Sequence, residues 1–237
     1  MLQEQVCRRF HPPKITVPAA SVLRIHGYRS PRRVRPALLE MAEAMAQRAA
    51  ALASPEAIYR RLRIERCAAG VLALEGGPVF RATAFTEILA GCDEVVVVIL
   101  TLGPAIDAEV GAFTRSKDLL EALFLETAGW VLEEKATREL AAHLSARARD
   151  EGHRLTRRLG PGYGDWNLAE QKALFSVFTG TSLPVRLLES CAMVPKMSRS
   201  GLYGLRRDGG ARTPSTAPSS AGKRPPLNRP GTDRRRP

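Results

Sequence analysis

The chain has 237 residues, of which 44% are apolar and 25% are charged, and its formal net charge is +12. This length and composition can supply one packed core without disulfide or metal crosslinks, so we predict a single domain with an appendage. Because residues 1–9 contain no apolar signal core and no stretch approaches the ~18 uninterrupted apolar residues of a membrane span, we predict a cytoplasmic protein with no membrane contact.

The first half of the chain predicts helices followed by short strands. Residues 1–14 are interpreted as an N-terminal extension, and residues 15–17 as a short extended segment. Helices are predicted at 19–23, at 36–52 and near 86–90. Strands are predicted at 62–65, 71–74 and 79–81, with a hairpin turn at Gly76-Gly77. The uniformly apolar run 95–100 predicts a central strand that is buried on both faces.

The second half predicts a long helix and a glycine-rich loop. Helices are expected at 105–114, 117–149 and 168–178, and strands near 185–193 and through 200–204. The apolar stripe of the long helix predicts that its buried residues include Leu120, Leu123, Phe124, Val131, Leu132, Ala136, Leu140 and Leu144. Its charged residues, expected to face water, are Glu133, Glu134, Lys135, Arg138 and Arg147. Since strands and helices do not alternate regularly, we predict an α+β fold with a central, mainly antiparallel, twisted sheet flanked by helices.

The last 33 residues differ from the rest of the chain. Residues 205–237 contain nine Arg or Lys and two Asp, so +7 of the net charge of +12 lies there. With almost no apolar residue to bury, this segment is predicted to be a disordered basic tail. Binding to nucleic acid or to an acidic partner is one alternative. The absence of interleaved aromatic residues for base stacking favours a solubilising or adventitious tail instead.

Cysteines and histidines give no sign of a metal site. The four cysteines, Cys7, Cys67, Cys92 and Cys191, lie far apart, with no Cys-x-x-Cys pair. We therefore predict free thiols in a reducing compartment. The histidines His26, His143 and His153 are assigned structural or surface roles, because a metal site needs several converging ligands.

The segment Arg157–Trp166 has the composition of a binding loop. Three glycines and a proline within residues 160–164 allow sharp turns that expose backbone amides. Arg158 offers a planar fork for a carboxylate, while Tyr163 and Trp166 offer aromatic faces for an adenine ring or a sulfonium cation. The alternative is a structural turn whose aromatic residues pack against the core.

Two blocks of sequence resemble a known family. Pro161-Gly162-Tyr163-Gly164-Asp165-Trp166, followed by Gln171 and Phe175, is similar to a segment of small proteins related to the activation domain of cobalamin-dependent methionine synthase. Residues 188–203 resemble the Glu-Ser-x-x-Met-x-Pro-x-x-Ser-x-Ser-Gly segment of the same family. With Gly-Tyr-Arg at 27–29, the likeness covers roughly residues 15–204, and the chain resembles a small stand-alone member of this activation (reactivation) domain family.

The resemblance implies a binding site for S-adenosylmethionine. In the family this ligand lies along an Arg-x-x-Pro-Gly-Tyr loop, which implies that Arg158 grips its carboxylate. The implied cofactor-binding residues are Arg158, Leu159, Gly160, Pro161, Gly162, Tyr163, Glu189, Ser198, Ser200 and Gly201. A buried Glu189 that binds neighbouring amides would be equally consistent. The resemblance implies neither a catalytic residue nor a metal ligand.

The resemblance also implies a methyltransferase component in methionine biosynthesis. In the family, cob(II)alamin gains one electron from a flavodoxin-like or other reductase, and the cob(I)alamin formed is trapped by the methyl group of S-adenosylmethionine. The implied partner is a corrinoid-dependent methionine synthase that carries the cobalamin and lacks its own activation domain. The alternative is a non-catalytic binding module that retains the fold and contacts a protein or nucleic-acid partner through its basic tail.

Overall fold

An antiparallel sheet forms the centre of the computed structural model, which describes residues 6–30 and 34–208. Its seven strands are β1 (Arg8–Phe10), β2 (Glu56–Ala68), β3 (Val71–Leu74), β4 (Val79–Arg81), β5 (Cys92–Thr101), β6 (His153–Leu155) and β9 (Ser198–Arg207). They lie in the order β4-β3-β2-β5-β9-β6, and β1 pairs with the outer edge of β2. A separate hairpin consists of β7 (Arg186–Leu187) and β8 (Met193–Val194). Every pairing among the described strands is antiparallel, as predicted.

Helices cover both faces of the sheet. They are α1 (Ala19–Ile25), α2 (Pro36–Leu52), α3 (Thr83–Ile88), α4 (Ala105–Ser116), α5 (Leu119–Asp150) and α6 (Gln171–Ser176), and a 3-10 turn at Leu168–Glu170 precedes α6. One apolar core joins α1, α2, α4 and α5 to the sheet, and a second core joins α3 and α6 to its opposite face. No helix of the described residues is both long and apolar enough to cross a bilayer.

Strand β5 is the centre of both cores. It pairs with β2 from Glu94 to Thr101 and with β9 from Cys92 to Thr101. Val96 and Val98 pack into the core under α5, while Val95 and Val97 pack into the core under α3. The predicted central strand, buried on both faces, is therefore confirmed.

Helix α5 confirms the predicted long helix but not every residue of its predicted stripe. Its C-terminal apolar residues are buried, as expected. Leu120 and Leu123 are exposed, so their predicted burial is wrong. Glu133, predicted to face water, is only 8% exposed. The reason is Arg199 of β9, whose guanidinium lies within hydrogen-bond distance of the Glu133 carboxylate and supplies the partner that helical periodicity does not reveal.

Several short or polar strands differ from the predictions. Residues Arg8–Phe10, in the predicted extension, form β1, and His153–Leu155 form β6, where no strand was predicted. The strand expected at 185–193 is replaced by the β7–β8 hairpin. Strand β2 is 13 residues long, although its arginines interrupt the apolar pattern. Strand β9 continues to Arg207, past the predicted start of the tail, and residues 209–237 of that tail lie outside the described residues.

Histidine and cysteine side chains take part in local packing. His143 of α5 stacks on Phe10 of β1 with ring centroids 4.2 Å apart, and its Nε2 lies 3.3 Å from the hydroxyl of Tyr59. His26 Nε2 lies 2.9 Å from Thr127 Oγ1. The four cysteines are free thiols, and Cys92 and Cys191 are buried. Among the described residues no group of three or more His, Cys, Asp or Glu could hold a metal ion.

The environment of His143 predicts a pH-dependent stability. Burial and the charge of Arg147 lower the pKa of His143 below its usual value of 6.5, so the fold favours the neutral ring. The contribution of the neutral His143 ring to folding stability is fully present above the pKa of the unfolded state, about 6.5. This contribution is lost as the pH falls from there through the lower pKa of the folded state. Urea unfolding between pH 7.5 and 5 should therefore show a smaller loss of stability for His143→Phe than for the parent. An identical pH dependence of both proteins would contradict this prediction.

The end of β9 predicts how far the chain can be shortened. Leu205 is buried, and Leu205–Arg207 provide all three register pairs with β6. A chain that ends at Gly204 should lose roughly 2–4 kcal/mol of stability, the usual cost of removing one large buried side chain. A chain that ends at Asp208 is the control and should unfold at the same denaturant concentration as the full chain. Equal midpoints for both truncations would exclude a stabilising role for these pairs.

Candidate functional site

The glycine-rich loop folds into a tight turn with internal hydrogen bonds. Gly162 and Gly164 have φ angles of +84° and +63°, a region that favours glycine. The amide of Gly162 donates to the carbonyl of Trp166 at 2.8 Å, and the amide of Tyr163 donates to the carbonyl of Gly160 at 3.2 Å. Those two amides are therefore already used within the loop.

The C-terminal end of this loop is attached to β4 and α3. The Asp165 carboxylate accepts the amide of Thr83 at 2.8 Å, which lowers the pKa of Asp165. The ring of Trp166 packs edge-on against Phe80 and Phe85, with centroids 5.3 and 4.9 Å away, and is only 3% exposed. For Trp166 the packing alternative is therefore confirmed. Tyr163 is 63% exposed and remains available to a ligand.

The segment before the loop runs beside β9. Thr156 exchanges two hydrogen bonds with Gly204: its amide donates to the carbonyl of Gly204 at 2.9 Å, and its Oγ1 accepts the amide of Gly204 at 2.8 Å. Leu159 and Leu202 form a two-bond bridge, with N–O distances of 2.9 and 2.8 Å. Because the chain is held at both points, the backbone between them places Arg157 and Arg158 beside β9.

Gly201 makes room for Arg158. An added Cβ at Gly201 would lie 2.3 Å from the carbonyl oxygen of Leu159 and 3.0 Å from Arg158 Nη1. The guanidinium of Arg158 instead donates to the carbonyl of Ser200 at 2.6 Å, and its Cζ lies 5.1 Å from the centre of the Tyr163 ring. Two of the predicted motifs, the loop and the Ser-x-Ser-Gly segment, thus meet at Arg158.

Arg158 lines an open cleft of about 570 Å³. Helix α5 supplies one side, which includes Thr137 and Ala141, and residues 155–158 supply a second side. Strand β9 contributes Arg199 and Tyr203. The arginines that line the cleft are Arg138, Arg157, Arg158 and Arg199. The cleft is therefore rich in guanidinium groups that can bind a carboxylate.

Two carboxylates of α5 balance part of this charge. Arg199 contacts Glu133 through Nε and Nη2 at 3.2 and 3.3 Å, and Glu134 through Nη1 at 2.6 Å. Burial raises the pKa of Glu133 despite the neighbouring Arg199. Glu134 is less buried, and its contacts with Arg199 and Arg138 outweigh the effect of burial and lower its pKa. Burial also raises the pKa of the Tyr203 hydroxyl, although Arg158 and Arg199 oppose this shift.

The remaining predicted site residues lie outside the cleft lining. Ser198 Oγ contacts the carbonyl of Pro195 at 2.6 Å and Thr101 Oγ1 at 2.8 Å. Ser200 Oγ contacts Gln171 Oε1 at 3.1 Å, and Gln171 Nε2 donates to the carbonyl of Cys191 at 2.9 Å. Both serines are buried, and these bonds join β9 to the segments around it. Glu189 is exposed in the turn of the β7–β8 hairpin, away from the lining residues.

The loop residues next to Arg158 are mostly buried and leave space for its guanidinium. Leu159 packs into the core under α3, and Pro161 is also buried. An added Cβ at Gly160 would lie 2.5 Å from Arg158 Nη1, so the glycine leaves space for the guanidinium. Gly162 is exposed beside Tyr163. Ligand contacts by these four residues stay a prediction.

Sequence reasoning missed part of the cleft. Arg199, Tyr203 and Glu134 line it, yet none was assigned to the site. Tyr203 was visible as the end of the second motif. The Glu-Glu pair on α5 gave no signal, because two adjacent glutamates on a helix usually face water.

The comparison with solved structures identifies the fold. The chain is similar to the MetH reactivation domain solved with AdoHcy bound, with a TM-score of 0.56 and 15% sequence identity over 88% of this chain and 81% of that one. No protein-family model matches the sequence, and no curated protein matches it closely. The fold is therefore that of the MetH reactivation domain, and the predicted α+β architecture with a central antiparallel sheet is confirmed.

The contacts of Gly201 predict that its substitution by alanine lowers the stability of the protein. Gly201→Ala should destabilise the protein by about 1–3 kcal/mol, because the added methyl group collides with the backbone oxygen of Leu159. Gly111→Ala in α4 is the control, since its Cβ would meet only the flexible end of Arg115 and alanine favours helix. Thermal unfolding of both variants measures the difference. A Gly201→Ala protein as stable as the parent would contradict the close approach of the loop and β9.

Proposed function

We propose that this chain binds S-adenosylmethionine in the cleft between α5 and residues 155–158. The observation that carries this proposal is the position of Arg158. Its motif predicted a carboxylate ligand, and its guanidinium lines a cleft of about 570 Å³. Ligand sites of small molecules commonly occupy ~300–1,000 Å³, so the size suits such a ligand.

The residues around the cleft match the chemical groups of the ligand. S-adenosylmethionine has a carboxylate, two cationic groups and an adenine ring. Arg158 retains further N–H donors for the carboxylate beyond its bond to the carbonyl of Ser200. The Glu134 carboxylate, half exposed at the cleft, can face an ammonium or sulfonium group. Tyr163 lies outside the lining but has an exposed ring, centred 5.1 Å from Arg158 Cζ, that could stack on a ligand held by Arg158.

The proposed reaction is the reductive methylation and reactivation of the cobalamin of a separate methionine synthase. A cobalamin carried by that partner would supply the nucleophile after gaining one electron from a flavodoxin-like or other reductase, and S-adenosylmethionine would supply the methyl group and leave as S-adenosylhomocysteine. The chain itself then needs no nucleophile or general base, because positioning of the methyl donor is its whole contribution. The likeness to a reactivation domain solved with AdoHcy supports this proposal.

The chain's own residues would orient the donor. The carboxylate end of the ligand would lie at Arg158, where the loop and β9 meet. Because the cleft is open, the opposite end of the ligand can face a partner protein. Tyr203 and Leu155 provide apolar contacts within the cleft, which would limit the water around the ligand.

Calorimetric titration of S-adenosylmethionine into the full chain tests the proposed site. Arg158→Ala should weaken binding by roughly 10- to 100-fold, the usual effect of losing hydrogen bonds to a charged group. Arg157→Ala is the matched control, because it removes the same charge from the same cleft and should change affinity by less than about threefold. Equal losses in both variants would mean that only the general positive charge matters. No binding by the parent at millimolar ligand would overturn the proposed site.

A further inference from the structure

Arg199 binds two neighbouring carboxylates of α5, Glu133 and Glu134, of which Glu134 lines the cleft. It lies on the side of β9 that faces α5, two residues before Gly201 and four before Tyr203. Its guanidinium contacts both oxygens of Glu133 and one oxygen of Glu134, and only 20% of the side chain is exposed. All three groups thus form one ion cluster at the wall of the cleft.

The two contacts of Arg199 are not equivalent. The Glu133 side chain is 11% exposed, so its pairing with Arg199 is needed to compensate its burial. The Glu134 side chain is 46% exposed and also contacts Arg138 at 3.3 Å. Glu134 is therefore the carboxylate that a ligand cation can reach. The cation would have to share this carboxylate with Arg199.

The positive charge of the cleft favours S-adenosylhomocysteine over S-adenosylmethionine. Four arginines line the cleft, whereas Glu134 is the one carboxylate among the described residues that line it. S-adenosylmethionine carries a sulfonium charge that S-adenosylhomocysteine lacks. Positive surroundings penalise that extra charge, and the carboxylates that would offset it are held by Arg199.

We propose that Arg199 is a specificity-determining residue, which holds Glu133 and Glu134 and thereby lowers the affinity of the cleft for the sulfonium ligand relative to the neutral thioether. This inference rests on the proposed function, because it concerns two ligands of the same cleft. Arg199 acts through the carboxylates and not through direct contact with the methyl group.

The test compares both ligands by calorimetric titration into the full-length parent and Arg199→Gln. Freeing the carboxylates should raise affinity for S-adenosylmethionine on the order of tenfold, as expected for a new bond between charged groups, and should leave S-adenosylhomocysteine within about threefold. Arg157→Gln is the matched control, because it removes one charge from the same cleft and leaves the contacts of Glu134 with Arg199 and Arg138 in place. Its selectivity should stay within about threefold of the parent.

Two further variants make the outcome decisive. The gain should disappear in the double variant Arg199→Gln/Glu134→Gln, since Glu134 is the carboxylate that is set free. If Arg199→Gln does not fold, Arg199→Lys replaces it, because one ammonium group cannot span both carboxylates and should give the same direction of change. Binding of both ligands with unchanged selectivity overturns the inference and leaves the proposed function intact. Binding of neither ligand to any of these proteins overturns both.

Discussion

The pairing of β9 with β5 is the constraint on which the rest of the structure depends. Nine residue pairs place β9 in the middle of the sheet, so its side chains alternate between the two cores. Arg199 and Tyr203 face α5, whereas Ser198, Ser200 and Leu202 face the opposite layer. On one face of β9, the serines therefore form hydrogen bonds with the surrounding segments. On the other face, Arg199 and Tyr203 line the cleft. A shift of this strand by one residue would exchange these roles.

The sequence predicts the parts of the fold whose signal is local. The apolar run of β5, the glycines of the β3–β4 hairpin and the long helix were all predicted, because a strand buried on both faces, a turn and a helical stripe each mark their own residues. Strands β1 and β6 were not predicted, because each has only three residues, two of them basic or polar, which is too short to show an alternating pattern. The arginines of β2 interrupt its alternation, and the carboxylate partners of Arg61 lie far away in the sequence, at Glu94 of β5 and at Glu151 after α5.

One wall of the candidate cleft has a signal in the sequence, and the other has none. Arg158 and the glycines that surround it belong to one loop, and their composition alone suggested binding. The opposite wall of the cleft belongs to α5, and it meets the loop only in the folded chain. Glu133 illustrates the difficulty, because its burial depends on Arg199, which lies 66 residues away in the sequence. Charge compensation across such a distance produces no pattern in the local sequence. Helical periodicity alone therefore predicts that Glu133 faces the solvent.

The edges of the sheet limit how this protein can meet other molecules. The strands β1, β4 and β6 that border the sheet are three residues long, and each contains at least one arginine. Short, charged borders give an incoming strand few backbone groups to pair with and repel a second basic sheet. Association by strand addition, as well as edge-to-edge aggregation, is therefore disfavoured for the part of the chain that the structure describes. Partners would meet this surface through helices, loops and the open cleft, where side chains and not backbone ladders decide which molecule is accepted.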